Sequence, residues 1–314
     1  MAFEPKTQAF NSSITKVTIG TGDKAVTLGG VNVLPFYSFD ATIENAPKIG
    51  VEIPDAGITA FTQPELLKFY EGCTTPAEMA KRVESMPGAS FVCLRMESAD
   101  PNGENKATAE CVEIAKSVAD ATELPLVIMG CKNIEKDAEL FGKISEALQG
   151  KNILVLSARE ENYKTVAASA VLAYGQKVGA ESSVDINLAK QLNVLVEGVG
   201  VAPTSIVMNA GSAAAGYGYE YVASTLDRIR AAALAQSDDQ LKMPIITPVS
   251  TETWGVKESV MAEADMPEWG DAEERGINME ITTAAACLAS GSDAVIMRHP
   301  AAVKAIADMI DALV

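Results

Sequence analysis

The sequence predicts an α/β fold in which eight strands alternate with helices and close into a (β/α)8 barrel behind an N-terminal β-hairpin. Short apolar runs without polar alternation recur along the chain, a pattern typical of strands that are buried on both faces. Segments with apolar residues at helical spacing lie between these runs, which favours a parallel sheet. Eight such units over about 250 residues fit a closed TIM barrel better than an open doubly wound sheet, which remains the alternative.

The predicted strands are the apolar runs, taken in chain order. They are KIGVEI (48–53), SFVCLRM (90–96), LPLVIMG (124–130), NILVLSA (152–158), SSVDI (182–186), SIVMNAG (205–211), PIITPVS (244–250) and DAVIMRH (293–299). The clearest helical patterns are NKATAECVEIAKSVADAT, EKDAELFGKISEALQG and ENYKTVAASAVLAYGQKVG. Gly150 and Gly179 stand just past helical patterns, where a left-handed C-terminal cap is expected.

A hairpin and one long loop complete the predicted organisation, a single barrel domain over residues 1–314. Residues 14–29 hold two β-rich halves around GTGD, which predicts a hairpin that plugs the bottom of the barrel. Residues 250–276, after the seventh strand, form a connection of about 25 residues, a length typical of functional or mobile loops. Both tryptophans, Trp254 and Trp269, lie in this loop. They either pin it to the barrel or form a lid or docking surface.

Charge and cysteine usage narrow the possible functions. A formal net charge of −17 and the absence of a long basic run argue against nucleic-acid binding. The N-terminus lacks a signal-peptide pattern and no apolar window approaches about 18 residues, so we expect a cytoplasmic protein without a membrane span. The five scattered cysteines form no CxxC pair, which predicts reduced thiols and no metal or iron–sulfur cluster held by this chain alone.

Ligands of such barrels bind where the strands end, because the strand-to-helix loops build that face. The polar or small residues predicted there are Glu52, Asp55, Arg95, Glu97, Gly130, Cys131, Ser157, Arg159, Asp185, Asn187, Asn209, Thr247, Ser250, Arg298 and His299. This set is poor in catalytic groups: the chain has one histidine and no HExxH, GxSxG or Walker sequence. We therefore predict no catalytic residue and no metal ligand.

Three candidate residues or pairs each have a functional and a structural interpretation. His299 is a possible general base or metal ligand, but a lone imidazole more often caps a strand end. Cys131 is a possible nucleophile or a buried inert thiol. Asp185 and Asn209 either hold the edge of a pterin, as in pterin-binding barrels, or cap helix N-termini.

The loop NAGSAAAGYG, residues 209–218, raises the question of a phosphate site. It lacks a lysine and Walker spacing, and the nearest basic residue downstream is Arg228. Small side chains also let a broad flat ligand or a partner backbone approach closely. We interpret the small side chains of the loop as leaving room for such a ligand or partner; the structural alternative is that they only allow the loop to pack tightly.

Three stretches of the chain resemble the small subunit of the corrinoid iron–sulfur protein, also called the delta subunit of acetyl-CoA decarbonylase/synthase. They are AFEPKTQAFNSSITKVTIGTGDKAVTLGG, FYSFDATIENAPKIGVEIPD and VMNAGSAAAGYGYEYVAST. The resemblance extends over essentially the whole chain and implies a TIM barrel. It also implies a heterodimer with a large subunit that carries a [4Fe–4S] cluster and a corrinoid-binding domain, with the corrinoid between that domain and the top of this barrel.

In this family the corrinoid takes a methyl group from methyltetrahydrofolate through a methyltransferase and delivers it to acetyl-CoA synthase/CO dehydrogenase in the reductive acetyl-CoA pathway. The resemblance implies that this chain is a non-catalytic subunit that roofs the corrinoid, that is, covers one face of it with the top of the barrel, and docks the large subunit. The corrinoid-facing residues are expected from the last three strand ends: Asn209, Ala210, Gly211, Ser212, Ala213, Ala214, Thr247, Pro248, Val249, Ser250, Arg298 and His299. The alternative function is a pterin-binding methyltransferase or a pteroate-synthase-like enzyme.

Overall fold

A computed structural model describes residues 6–314, so the first five residues of the predicted domain lie outside the described part. Its main sheet has eight parallel strands in the order β8-β7-β6-β5-β4-β3-β10-β9. These strands are β3 (Lys48–Pro54), β4 (Ala89–Arg95), β5 (Leu126–Met129), β6 (Leu154–Ala158), β7 (Lys177–Glu181), β8 (Ile206–Asn209), β9 (Ile246–Pro248) and β10 (Ala294–Met297). A parallel bridge between Met208 and Ile245 joins the two ends of the sheet. The predicted barrel is confirmed.

Helices form the outer layer, as expected for strands joined by crossover connections. They are α1 (Pro64–Phe69), α2 (Pro76–Val83), α3 (Thr108–Ala121), α4 (Ile134–Ala147), α5 (Tyr163–Val166), α6 (Ile186–Gly198), α7 (Tyr219–Ala235), α8 (Val249–Thr253), α9 (Lys257–Val260), α10 (Ala272–Ser290) and α11 (Pro300–Leu313). No helix of the described residues is long and apolar enough to cross a membrane. The helices bury their apolar faces against the outward side chains of the strands, such as Ile49, Val51 and Ile53 of β3.

The predicted hairpin is also confirmed and consists of β1 (Val17–Ile19) and β2 (Val26–Leu28). Its apolar side chains share one buried cluster with inward-facing barrel residues such as Phe91 and Leu154. The amide of Gly20 donates to the carbonyl of Asn152, just before β6, at 2.8 Å. The hairpin therefore closes the barrel at the amino ends of its strands, opposite the face where the strands end.

The barrel interior requires glycine where a large neighbour fills the space. A Cβ on Gly50 of β3 would lie 2.0 Å from the Phe91 ring, and a Cβ on Gly179 of β7 would lie 2.4 Å from Leu156 Cδ1. Gly179 is thus a strand residue, and the prediction that it caps a helix is wrong. Gly150 does adopt the left-handed conformation, with φ of 86°.

The fifth barrel strand lies earlier in the chain than predicted. It is β7 (Lys177–Glu181), whereas the predicted run 182–186 forms the turn into α6. Ser183 and Val184 have φ of 48° and 64°, which is incompatible with an extended strand. The strand was missed because KVGAE has a charged residue at each end and a central glycine, so its apolar run is short.

Residues 250–276, predicted as a long loop, contain ordered structure. Helix α8 enters this segment from Val249, α9 and a 3-10 turn at Pro267–Trp269 lie within it, and α10 begins at Ala272. Trp254 is buried, with its ring stacked on that of His299 at a centroid distance of 6.0 Å. Trp269 is half-buried between Lys257 and Arg275, which lie 5.6 and 5.7 Å from the ring centroid. Both tryptophans pack onto neighbouring parts of the chain.

Candidate functional site

A layer of charged and polar side chains crosses the barrel where the strands end. Alternation along each strand places it there: Val51 and Ile53 face the helices, so Glu52 between them faces the interior. The same reasoning places Glu181 and Asn209 inside, since Val178 and Met208 belong to the outer cluster. The layer separates into two groups on opposite sides of the barrel mouth.

Glu52 is the centre of the first group. Its side chain is 1% exposed, Arg298 Nη2 lies 2.7 Å from Oε1, and Ser250 Oγ donates to Oε2 at 2.5 Å. Arg95 Nη1 adds a longer contact of 3.4 Å. Burial alone would raise the pKa of the Glu52 carboxyl, but Arg298 and Arg95 together hold it below its ordinary value. Glu52 is therefore a buried, compensated carboxylate with a structural role at the mouth.

Glu181 is the centre of the second group, and sequence reasoning missed it. Arg159 donates to Glu181 Oε1 through Nη2 at 2.7 Å and through Nε at 3.0 Å. Asn209 donates from Nδ2 to Ser157 Oγ at 2.9 Å, and the same amide lies 3.5 Å from Glu181 Oε2. Glu181 is the last residue of β7. Because the predicted fifth strand covers residues 182–186, the prediction does not identify Glu181 as a strand-end residue.

A cavity of about 70 Å³ opens beside the second group. Met129 and Leu156 contribute its apolar lining, and the Lys132 ammonium lies 3.5 Å from a Glu252 carboxylate oxygen on another part of the wall. Its ionisable lining consists of two cationic and three acidic side chains: Lys132, Arg159, Asp137, Glu181 and Glu252. Because acidic groups outnumber basic ones and the cations have partners, the cavity is unsuited to a phosphate.

The twelve residues predicted to face a ligand lie in different surroundings. Asn209, Gly211, Ser212 and Pro248 line the cavity, while Ser250 and Arg298 belong to the Glu52 group. The others face the protein interior or its packing layer: Ala210 and Ala214 are each 1% exposed, Ala213 packs on the core, Val249 is buried, and Thr247 shares a hydrogen bond with Ser292.

His299 has a structural role. The ring is 2% exposed; Nδ1 accepts from the amide of Ala301, and Nε2 lies 3.0 Å from Glu273 Oε1. Since Nδ1 accepts, Nε2 carries the proton and donates to Glu273. Burial lowers the pKa of the imidazole despite this carboxylate. His299 therefore links the start of α11 to Glu273, whose carboxylate also accepts from the amides of Glu65 and Leu66 in α1.

Glu280, on α10, is a second residue that sequence reasoning missed. It is fully buried, and its carboxyl oxygens accept from the amides of Arg298 and His299 at 2.7 and 3.0 Å. Burial raises the pKa of Glu280 to about 7, although both amide donors oppose the rise. The residue fixes the backbone after β10. A glutamate in the middle of a helical pattern gave no signal of this position.

The remaining candidates, Asp185 and Cys131, are occupied within the chain. Asp185 is a helix cap: Oδ1 accepts from the amides of Asn187 and Leu188 at 2.7 and 3.1 Å. Of the two interpretations of Asp185, the structure confirms the helix cap; the residue lies in the turn beyond β7. Cys131 donates from Sγ to Asp137 at 3.2 Å, and burial raises the pKa of its thiol to about 12. The protonated thiol is unreactive.

These features define a TIM barrel in which the carboxylates of Glu52 and Glu181, near the carboxyl ends of their strands, are paired with arginine side chains. Solved barrels of the same fold include a dihydropteroate synthase from Xanthomonas albilineans with 4-aminobenzoic acid, at 13% identity and a TM-score of 0.57 over 95% of this chain and 98% of that one. The 7,8-dihydropteroate synthase from Vibrio fischeri is similar at 12% identity and a TM-score of 0.57, covering 94% and 97% of the two chains. Identities this low establish the fold alone.

Sequence comparison identifies the family. The profile of the CO dehydrogenase/acetyl-CoA synthase delta subunit family matches residues 16–309, and the chain belongs to this family. A relative from Archaeoglobus fulgidus, named acetyl-CoA decarbonylase/synthase complex subunit delta, is 32% identical over 99% of this chain and 71% of its own length. The protein of the same name from Methanothermobacter thermautotrophicus is 30% identical over 98% of this chain and 77% of its own.

Proposed function

We propose that this chain is the barrel subunit of a two-subunit corrinoid iron–sulfur methyl carrier, and that it roofs the corrinoid and docks the large subunit. The observation that carries the proposal is the family match over residues 16–309, which spans every strand-end loop of the mouth. The large subunit would hold the [4Fe–4S] cluster and bind the corrinoid from its other side. The carrier would work in the cytoplasm between a methyltetrahydrofolate:corrinoid methyltransferase and acetyl-CoA synthase/CO dehydrogenase.

The mouth fits a ligand that lies across it better than one that enters it. A corrin macrocycle with its side chains is much larger than the cavity of about 70 Å³. Gly211 and Ser212 provide small side chains at the cavity wall, and Pro248 provides an apolar surface with no N–H donor. These residues and Asn209 would contact the corrinoid. The buried members of the predicted set would position those contacts.

When bound, the corrinoid supplies a cobalt centre that accepts and donates a methyl group. The residues of this chain would limit side reactions by excluding water and by keeping the thiol and imidazole near the mouth in hydrogen bonds. Cys131 is a protonated thiol bonded to Asp137, and both nitrogens of His299 have partners. The mouth therefore suits a surface that a reactive methyl group can face without modifying the protein.

Methyl transfer to the reconstituted complex tests this proposal. The chain would be co-expressed with its large subunit, incubated with labelled methyltetrahydrofolate and the methyltransferase, and the label bound to the complex measured. We expect stable labelling of the complex and none of this chain alone. If the large subunit without this chain were labelled at the same rate, and its bound label had the same lifetime, the roofing role would be contradicted.

A second candidate, a pterin-binding enzyme, has one observation in its favour. An acid does lie beside the amide of Asn209: it is Glu181, with Oε2 3.5 Å from Asn209 Nδ2, rather than Asp185. Titration of the chain alone with methyltetrahydrofolate separates the two functions. Saturable binding at micromolar concentration, with methyl transfer by the chain itself, would favour the enzyme.

A further inference from the structure

The mouth cavity has a hydrogen-bonding pattern that selects its ligand. Arg159 uses Nε and Nη2 on Glu181 and directs Nη1 toward the carbonyl of Lys132 at 3.3 Å. Each of its three nitrogens thus donates at least one hydrogen bond within the chain, and the Lys132 ammonium lies 3.5 Å from Glu252 Oε1. An anionic ligand would meet three carboxyl groups and would have to compete with Glu181 and Glu252 for the two cations, which is unfavourable in a partly desolvated site.

Two polar groups of the cavity retain hydrogen-bonding capacity. Among residues 6–314, Glu181 Oε2 has only the 3.5 Å contact with Asn209, so it can accept another hydrogen bond. Ser212 Oγ is buried without a partner within the described chain, and it can both donate and accept. Leaving such groups unpaired is costly, so a ligand that satisfies both gains affinity. Met129 and Leu156 add apolar surface for a hydrocarbon arm.

We propose that this cavity binds an uncharged carboxamide edge, whose N–H donates to Glu181 Oε2 and whose carbonyl accepts from Ser212 Oγ. The inference deepens the proposed function and rests on it, because a corrinoid carries primary amides on short alkyl arms around its ring. One arm would enter the cavity while the macrocycle stays outside. The lactam edge of a free pterin presents the same chemistry, so the experiment must distinguish the two sources.

Two corrinoids that differ in their amides provide the probes. Dicyanocobinamide keeps the primary amides and lacks the nucleotide, whereas dicyanocobyrinic acid heptamethyl ester has carbonyls but no N–H donors. Equilibrium dialysis of the full chain, read by corrinoid absorbance, requires no activity. We expect the amide corrinoid to bind about tenfold more tightly than the ester, the difference that one lost hydrogen bond to a charged acceptor produces. Inorganic phosphate should not compete.

Variants assign the effect to the cavity. Glu181→Gln should weaken cobinamide binding by about tenfold and leave ester binding unchanged. Ser212→Ala should weaken cobinamide binding by about fivefold and ester binding to a similar extent, because the ester carbonyl can also accept from Ser212 Oγ. Ser212→Ala keeps the Glu181–Arg159 ion pair, so it remains informative if Glu181→Gln perturbs the fold. Glu113→Gln is the matched control, because Glu113 is an exposed residue on α3. Its cobinamide affinity should match that of the unmodified chain.

Equal binding of amide and ester corrinoids, no corrinoid binding by the chain, or displacement by phosphate would overturn the carboxamide inference. The proposed function would survive each of these results if the co-purified complex still held cobalt. Displacement of cobinamide by a reduced pterin, with the same sensitivity to Glu181→Gln, would support the carboxamide site but assign its natural ligand to the pterin. That result would contradict the roofing function.

Discussion

The ring of Trp254 lies directly against Gly276 of α10, so close that a Cβ at Gly276 would come within 2.1 Å of Trp254 Cζ3. The same ring stacks on His299 at the start of α11, and the indole is 6% exposed. This contact fixes the segment after β9 to the last two helices of the barrel. That segment supplies Thr251 and Glu252 to the cavity wall, so the contact also shapes the mouth.

Replacement of Gly276 tests this contact. Gly276→Ala should lower the free energy of unfolding by about 1–3 kcal/mol, because overpacking outweighs the roughly 1 kcal/mol that alanine adds in a helix. Tryptophan emission should shift to longer wavelength as Trp254 becomes exposed. Gly198→Ala, on α6 with open space around its Cβ, is the control and should be neutral or stabilising. Equal effects of both changes would contradict the Trp254–Gly276 contact.

Glu280 should make stability depend on pH. Its folded pKa of about 7 exceeds the ordinary 4.5, so the folded state binds the proton more tightly than the unfolded state. This contribution is complete below the unfolded pKa and is lost as pH rises through the folded pKa. Urea unfolding should show the unmodified chain losing about 3 kcal/mol relative to Glu280→Gln between about pH 4 and pH 8. A difference that does not change with pH would contradict the raised pKa.

Loss of one partner from the Glu52–Arg298 pair should be strongly destabilising. Arg298→Met leaves Glu52, 1% exposed, without its 2.7 Å partner, and we expect a loss of about 3–5 kcal/mol in unfolding free energy. Adding Glu52→Gln should recover part of that loss, because the uncompensated charge is gone. A double-mutant cycle measured by urea denaturation gives the coupling. Additive effects of the two changes would contradict the pairing.

The NAGSAAAGYG loop divides into residues that can be tested as contacts and residues that cannot. Ala214 is 1% exposed, so Ala214→Leu should lower the unfolding temperature through overpacking. A loss of corrinoid from this variant would therefore not show whether a small side chain leaves room for the corrinoid. Ser212→Leu, at the cavity wall, should reduce cobalt retention in the complex with a smaller effect on unfolding. Calorimetry gives the unfolding temperature of both variants, and cobalt analysis gives the cobalt content of their complexes. A larger loss of unfolding temperature in Ser212→Leu than in Ala214→Leu would contradict this assignment.

The sequence predicted the barrel because its strands are buried on both faces, so each appears as an apolar run. The exception is instructive. In β7, Gly179 has no side chain and Leu156 fills the space beside it, while Lys177 and Glu181 at the two ends of the strand carry charge. The strand therefore lacks a long apolar run, and its position depends on packing in the barrel. That error moved the predicted ligand residue from Glu181 to Asp185.

The site was less predictable because its key contacts join residues far apart in the chain. Strand-end reasoning selected Asn209, Arg298 and Ser157, yet it could not pair Arg298 with Glu52 or Asn209 with Ser157. Glu280 and Glu273 act from α10 on the backbone and ring of His299, and helical periodicity carries no information about such contacts. Side-chain direction in the NAGSAAAGYG loop, which buries Ala214 and leaves Ser212 at the cavity, likewise depends on tertiary packing.

The metal content and visible spectrum of the complex co-purified with this chain test the central claim most directly. The account predicts a larger partner with cobalt and iron in a fixed ratio, corrinoid and iron–sulfur absorption bands, and neither metal in this chain purified alone. A tightly bound iron–sulfur cluster in the isolated chain, or a stable complex without cobalt, would contradict it.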